Sequence, residues 1–424
     1  MRNKITRKIY YRITFRLASA LSVGSGENQY SDSDVIRNSA GEPFVPGSAL
    51  AGIYRSLLKK EDAEHYFGAI GQEERASESR VLVYDARLCT EEKKIPYRSM
   101  IRDGVGLDEW KTVKPGCKFD FEAIEPGAEF VTCLEQNWEE GDRDIGREIA
   151  ALWKNCQIRI GRKTMRGLGS VEDVAVFSRS FALDQPKELD AWLDFDMYRE
   201  DDWKGARLAE ADLEGAERKD TISLEMALRQ RGGISVRRYT TKVSESGETS
   251  CPDAEQLTYV MTAQGEELPY IPGTSWAGAF RHHMEKLCPG CTVAFFGSVG
   301  ERSKIRFSES FIEGAEPKVI TRNAVDRFTG GVIENALFTE KTWYGGRTVL
   351  RLEIPKDLGE ETALSFRQAL AASLTDFHMG VLAVGGLTAV GRGIFEGEKL
   401  RIDGEEVPVS ESMYGKILEK LEGK

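Results

Sequence analysis

No stretch of this chain approaches the ~20 consecutive apolar residues that a membrane helix needs. Its first residues, MRNKITRKIYYRITFRL, are basic but alternate polar with apolar, which reads as an edge strand rather than a secretory signal. Both absences predict a cytoplasmic protein. A disulfide framework is missing as well. The seven cysteines, Cys89, Cys117, Cys133, Cys156, Cys251, Cys288 and Cys291, are odd in number and scattered, which argues for reduced thiols. There is no basic excess either: the net charge is −11, awkward for a nucleic-acid binder, because phosphate neutralisation by Lys and Arg supplies most non-specific affinity. The acid is unevenly placed, much of it at 61–78, 135–148 and 184–202, so a basic face can sit beneath the net charge. Histidine is scarce, and of the four, His65 and His378 stand alone as packing or surface residues.

What the chain does contain is the same text twice. FVPGSALAGIYR runs from Phe44 to Arg55, and YIPGTSWAGAFR from Tyr270 to Arg281. Pro46 meets Pro272, Gly47 meets Gly273, Ser48 meets Thr274 and Arg55 meets Arg281. A second pair keeps the order: GRKTMRGLG at 161–169 and GGLTAVGRG at 385–393. The repeat means one domain duplicated within 424 residues, about 200 residues per copy.

The hydrophobic pattern gives each half the same order. In the first half it predicts a strand at 9–17, a helix at 49–60 begun by Pro46 with Ser48 as N-cap, and a strand at 80–85. A long polar segment at 90–118, a strand at 129–134, a helix at 141–155 and the Gly-rich loop follow. The second half predicts a strand at 221–228, a helix after Pro272–Gly273 and a strand at 304–307. A long segment at 321–346, a strand at 348–354, a helix at 361–377 and its own Gly-rich loop complete it. Strand–helix–strand–strand–helix–strand is the α+β ferredoxin-like, or RRM-like, pattern. The expected domains are 1–205 and 218–424. The acidic stretch 184–217 shows no strong strand pattern and reads as a linker, its core at 206–217.

The paired (F/Y)(V/I)PG(S/T) helix starts and C-terminal Gly-rich loops resemble the RAMP superfamily of CRISPR proteins, and within it the backbone subunit of type III effector complexes. Phe67-Gly68 and Phe296-Gly297, the strands RVLVYDA and KIRFSES, and NAVDRFTGGVIENALFTE at 323–340 carry the resemblance further. The counterpart of that last segment, DGVGLDEWKTVKPGCKFDFE at 103–122, is more diverged. Two such domains in one chain are similar to the fused backbone subunits of III-D-like systems. The resemblance implies binding of guide RNA and target RNA, and partnership with a large polymerase-like subunit, a small subunit and other RAMP subunits.

A Gly-rich loop lets backbone amides approach phosphates, as helix N-termini do. The RNA-binding candidates are therefore Gly47, Ser48 and Arg55; Arg162, Lys163, Arg166 and Gly167; Gly273, Thr274 and Arg281; Gly391 and Arg392. Arg98, Arg102, Arg322 and Arg327 on the long hairpin segments join them. Against this stands the plain structural role of glycines in a tight turn. The run Arg229, Arg231, Arg237, Arg238 and Lys242 reads equally well as a solvated surface.

In the family a single Asp ahead of the PGS helix serves target cleavage, with Mg²⁺ or Mn²⁺ as the metal, and the pattern places it at Asp32, with Asp34 two residues on. A hard cation with oxygen ligands suits that task; turn residues in a polar loop are the bland alternative. In the second copy strict alignment gives Gln256, while a small loop shift offers Asp253 or Glu255, so one cleavage site is expected in each half, with Asp253 carrying the second. HHMEKLCPGC supplies Cys288 and Cys291 at zinc spacing, with His283 and the distant Cys251 as further ligands for a structural Zn²⁺; two thiols in a Pro-Gly turn are the alternative. An RNA-guided nuclease and a purely structural RNA-binding subunit both fit this sequence. A repeat-processing nuclease fits least, since no His lies in either PGS loop.

Overall fold

In the computed structural model the described residues are 4–24, 33–68, 77–89, 97–107, 113–209, 213, 220–239, 252–260, 265–298, 300–358 and 360–423. The chain divides into two compact units at Arg218/Lys219, with Met165–Gly167 counted with the second. The first unit runs β1 (Arg7–Leu17), β2 (Phe44–Val45), α1 (Gly47–Leu57), α2 (Lys60–Phe67), β3 (Val81–Val83), β4 (Ala86–Leu88), β5 (Ser99–Leu107), β6 (Val113–Ile124), β7 (Glu129–Trp138), α3 (Ile145–Lys154), β8 (Val171–Ala182) and α4 (Pro186–Asp194). The second runs β9 (Thr221–Gln230), β10 (Gly233–Ile234), β11 (Arg237–Tyr239), β12 (Ala254–Gln256), β13 (Thr258–Val260), β14 (Glu267–Ile271), α5 (Gly273–Leu287), α6 (Cys291–Phe296), β15 (Arg306–Phe307), β16 (Ser310–Phe311), β17 (Glu316–Val325), β18 (Val332–Tyr344), β19 (Arg347–Pro355), α7 (Glu360–His378), β20 (Phe395–Ile402), β21 (Glu405–Val407) and α8 (Tyr414–Glu422).

Each unit contains the same antiparallel sheet. In the first, β8 pairs β1, β1 pairs β7, and β7 pairs β3 and β4; in the second, β20 pairs β9, β9 pairs β19, and β19 pairs β15. With each unit's own core strands counted in chain order, both read 4-1-3-2. That is the ferredoxin-like order, so both halves are ferredoxin-like domains.

The sequence builds the cores by simple alternation. Ile9, Tyr11, Ile13, Phe15 and Leu17 recur every second residue and face the helices. Helix α3 presents Ile145, Ile149, Leu152 and Trp153 at helical spacing, capped by Asp144, which accepts from the Arg147 amide at 3.1 Å. Trp153 Nε1 donates to the Tyr54 hydroxyl at 3.0 Å, which locks α3 to α1. In the second unit Ile222, Leu224, Met226 and Leu228 alternate in the same way under Trp276, Phe280, Phe366 and Phe377.

Two expectations change. Ser48 is not a side-chain cap: Pro46 is the N-cap residue of α1, and the Gly47 amide instead donates to the Asp85 carboxylate at 2.7 Å. The stretch read as linker is in large part folded. Helix α4 and the turn after it bring Trp192, Phe195 and Trp203 onto Tyr10, Cys133 and Phe181, on the sheet face away from α1 and α3. Trp192 Nε1 donates to the Tyr10 hydroxyl at 2.9 Å. This cover hides a strand face that RRM-like domains elsewhere leave open to bases.

Candidate nucleic-acid interface

The two Gly-rich loops agree bond for bond. Ile160 N donates to Gly169 O at 2.9 Å, and Val384 N to Gly393 O at 3.0 Å. Arg162 N reaches Ser22 O at 2.8 Å, and Gly386 N reaches Ser235 O at 2.7 Å. Gly169 N reaches Ala20 O and Gly393 N reaches Gly233 O, both at 2.8 Å. The left-handed positions also match: Gly161 with Gly385, Lys163 with Leu387, Gly167 with Gly391, and Gly169 with Gly393. A Cβ on Gly169 would lie 1.8 Å from Ile160 O, and one on Gly393 1.8 Å from Val384 O, so only glycine closes either loop. Ser79 and Ser303 repeat as well, each hydroxyl reaching one carbonyl just before the Phe-Gly pair, Tyr66 O or Phe295 O, and one after it, Val81 O or Ile305 O.

The side chains on this shared backbone differ. In the first loop Arg162 is exposed and its Nη1 donates to Ser33 Oγ at 2.8 Å, so the loop meets the segment that leads into α1. Lys163 holds φ +57°, and its ammonium sits 3.5 Å from the Phe121 ring centre and 4.1 Å from that of Phe119. Burial first, then the Arg102 and Arg162 charges, push the Lys163 pKa down to about 8. Three cations and two rings thus meet at the base of the β5–β6 hairpin. Arg102 is buried there and Arg98 is exposed just before the hairpin. Burial also holds the Arg166 guanidinium below its ordinary pKa, and Gly167 is buried. The Lys163–Phe pairing has a sequence signal, FDF in β6, that lay unread in the more diverged hairpin segment.

In the second loop Gly386, Leu387 and Val390 replace Arg162, Lys163 and Arg166. Gly391 is exposed. Arg392 is buried, donates to Glu340 Oε1 at 2.7 Å and lies over the Tyr344 ring at 5.1 Å. Arg322 bonds the same Glu340 oxygen. These two candidates spend their charge on a carboxylate that is 1% exposed. Arg327 is exposed at the turn between β17 and β18. Of the basic run, Arg229 and Arg231 pair with Glu396 at 2.6 and 2.9 Å, Arg238 pairs with Glu255 at 3.4 Å, and Arg237 lies against Gly386. Lys242 falls outside the described residues.

At the helix starts, Ser48 and Thr274 are exposed, while Gly47 and Gly273 are buried against Val83 O and Phe307 O. The Asp85 carboxylate already occupies the Gly47 amide. Arg55 caps α2 internally, donating from Nη1 to Phe67 O at 2.9 Å and Gly68 O at 2.7 Å. Arg281, its counterpart, is half-buried.

Asp32 lies outside the described residues. Asp34 is half-buried beside Val35, whose amide donates to Glu122 Oε2 at 3.0 Å. Asp253 Oδ2 accepts from the Thr339 amide at 2.7 Å, and Glu255 pairs with Arg238. Gln256, at the strictly aligned position, is 2% exposed; it accepts from Val236 N and donates to Leu257 O and Tyr270 O. Its amide is a strut between segments, not a vacant ligand.

Cys288 ends α5 and Cys291 opens α6, where burial and then Cys288 push the Cys291 thiol up to about 12. His283 Nε2 bonds Asp376 Oδ2 at 2.7 Å. Cys251 lies outside the described residues, and among the described ones no three His, Cys, Asp or Glu side chains converge as a metal site. No helix among the described residues is long and apolar enough to cross a membrane.

A search of curated proteins finds no match to the chain. The family model of the RAMP superfamily matches residues 14–172 and 256–396, one region in each half. The matched regions contain both PG helix starts, both Gly-rich loops and both long hairpins. Two ferredoxin-like domains with these loops, matched twice over most of the sequence, make this chain a tandem-domain member of the RAMP superfamily of CRISPR-associated RNA-binding proteins.

Proposed function

We propose that this chain is a guide-RNA-binding backbone subunit of a type III CRISPR effector complex, and that it holds the guide–target RNA duplex. The observation that carries this is the Lys163 ammonium seated on Phe119 and Phe121 beside exposed Arg162. A cation desolvated on aromatic rings gains from a phosphate, and the exposed Phe119 ring beside it suits stacking with a base. Replacing Arg162 and Lys163 together by alanine lowers affinity for single-stranded RNA on the order of 10²-fold at physiological salt, whatever the sequence, and flattens the salt dependence. Affinity unchanged by the double substitution sinks this reading.

We further infer that the first half cleaves target RNA with Asp32 and Asp34 and a divalent ion, Mg²⁺ or Mn²⁺. Mg²⁺ is content with one or two carboxylates when waters and a substrate phosphate complete its shell, so a sparse acidic loop suits it. When bound, the ion would polarise the scissile phosphate; the carboxylates would hold it and orient the attacking 2′-hydroxyl. The second half serves as scaffold, because Asp253 and Glu255 are tied to Thr339 and Arg238. Asp32→Ala therefore abolishes metal-dependent cleavage by the assembled complex, and Asp253→Ala leaves it. Cleavage surviving Asp32→Ala with full EDTA resistance makes the chain a scaffold throughout.

A further inference from the structure

The second Gly-rich loop keeps the backbone of the first but has lost its cations at three positions. Positive charge reappears nearby on helix α5. His282 and His283 stand where the first unit has Ser56 and Leu57. Helix α1 stops at Leu57, whereas α5 continues to Leu287 and so carries Lys286, one turn beyond His282. These three side chains line a pocket of about 290 Å³ whose far wall is the second Gly-rich loop, at Thr388 and Ala389, with Val381 at its rim. Asp376 Oδ2, at 2.7 Å, fixes the His283 ring from α7. The lining residues contributed by the loop side carry no charge; among the described residues that line the pocket, His282, His283 and Lys286 are the charged or titratable ones, with Asp376 behind His283.

We propose that this pocket is a phosphate seat, filled by a backbone phosphate of the bound RNA and charged by His282, His283 and Lys286. It rests on the RNA-binding reading above and extends it to the second unit. The chemistry is specific in kind. The His282 ring, the Lys286 ammonium and the Thr388 hydroxyl offer donors around the pocket, with His283 held through Nε2 by Asp376, a set that suits a compact anion rather than a base or an apolar group. The first unit grips with arginine and lysine; the second grips with histidine and lysine.

The test uses the full chain, a fluorescein-labelled 30-nucleotide RNA without secondary structure, and pH 6 and pH 8. His282→Ala with Lys286→Gln should weaken binding about tenfold at pH 6 and by less at pH 8, and reduce the slope of log affinity against log salt by about 0.7. Arg162→Ala with Lys163→Ala should weaken binding at both pH values. Wild-type affinity and salt slope in the His282/Lys286 variant at pH 6, with the Arg162/Lys163 variant impaired, overturns the seat and leaves the RNA reading standing. Inorganic phosphate gives the independent arm, read on the imidazole proton resonances at pH 6. Shifts of His282 and His283 that vanish in Lys286→Gln support the seat even if RNA binding fails everywhere. No shift with phosphate, together with unchanged RNA affinity, rejects it. A melting curve matching wild type confirms that the variants fold.

Discussion

The first and second Gly-rich loops share their hydrogen bonds and left-handed positions, yet one carries Arg162, Lys163 and Arg166 where the other carries Gly386, Leu387 and Val390. The backbone is what the duplication preserved; the charge is what each copy set for itself. The same division appears at the hairpins. Glu122 in β6 and Glu340 in β18 close equivalent segments, but Glu122 bonds Arg37 and the Val35 amide and is partly open, whereas Glu340 is buried beneath Arg322 and Arg392. The first unit keeps Arg162 exposed in its loop and Lys163 on aromatic rings, while the second draws Arg392 inward onto a carboxylate.

The shared backbone predicts the largest effects. Gly169→Ala and Gly393→Ala each drive a Cβ to 1.8 Å from a carbonyl oxygen at a left-handed residue, and each should cost roughly 3 kcal/mol or more of stability. Gly391→Ala, also left-handed but with nothing within 4 Å, should cost about 1 kcal/mol. Chemical denaturation of the three variants measures this. A mild Gly393→Ala beside a severe Gly169→Ala would break the equivalence of the loops.

The differing charges predict the next effect. Glu340→Gln leaves two guanidiniums facing a neutral amide in a buried site and should cost about 3 kcal/mol. Glu122→Gln, at 15% side-chain exposure with one arginine partner, should cost about 1 kcal/mol. Equal losses in the two variants would show that burial does not separate these sites.

Much of this was legible in the sequence, and for a physical reason. The PG helix starts and Gly-rich loops are local constraints that only glycine and proline satisfy, so their recurrence exposes the duplicated ferredoxin-like order. What stayed hidden depends on distant partners. The Gly47 amide is taken by Asp85, 38 residues on, so Ser48 in the expected cap position has no capping role. Arg55 looks like a phosphate ligand until the carbonyls of Phe67 and Gly68 are seen around it. The cover over Tyr10 and Phe181 comes from aromatics in an acidic stretch; Leu189, Trp192 and Leu193 recur there at helical spacing, but the helix is short and its partner is a sheet face far away in sequence. Gln256 at the aligned site was readable as a lost carboxylate, but its three backbone bonds were not.

The smallest expected effect separates the two grips by pH. Lys163 has a folded-state pKa of about 8 against an ordinary 10.5, lowered chiefly by burial. Across about pH 8 to 10.5 the unfolded chain binds the extra proton, so this residue's contribution to stability rises with pH in that window and is least favourable below pH 8. RNA acts in the opposite sense: a phosphate beside the ammonium favours the charged form, raises the pKa and makes binding take up a proton. Affinity should then fall about twofold from pH 7 to pH 8 and about fivefold more by pH 9. Lys163→Arg stays charged throughout and should flatten that fall while keeping the affinity near that of wild type at pH 7. A pH titration of RNA affinity in Lys163→Arg measures this. If the fall above pH 8 persists in the variant, another group carries it, and the contrast between a lysine grip in one half and a histidine grip in the other loses its first term.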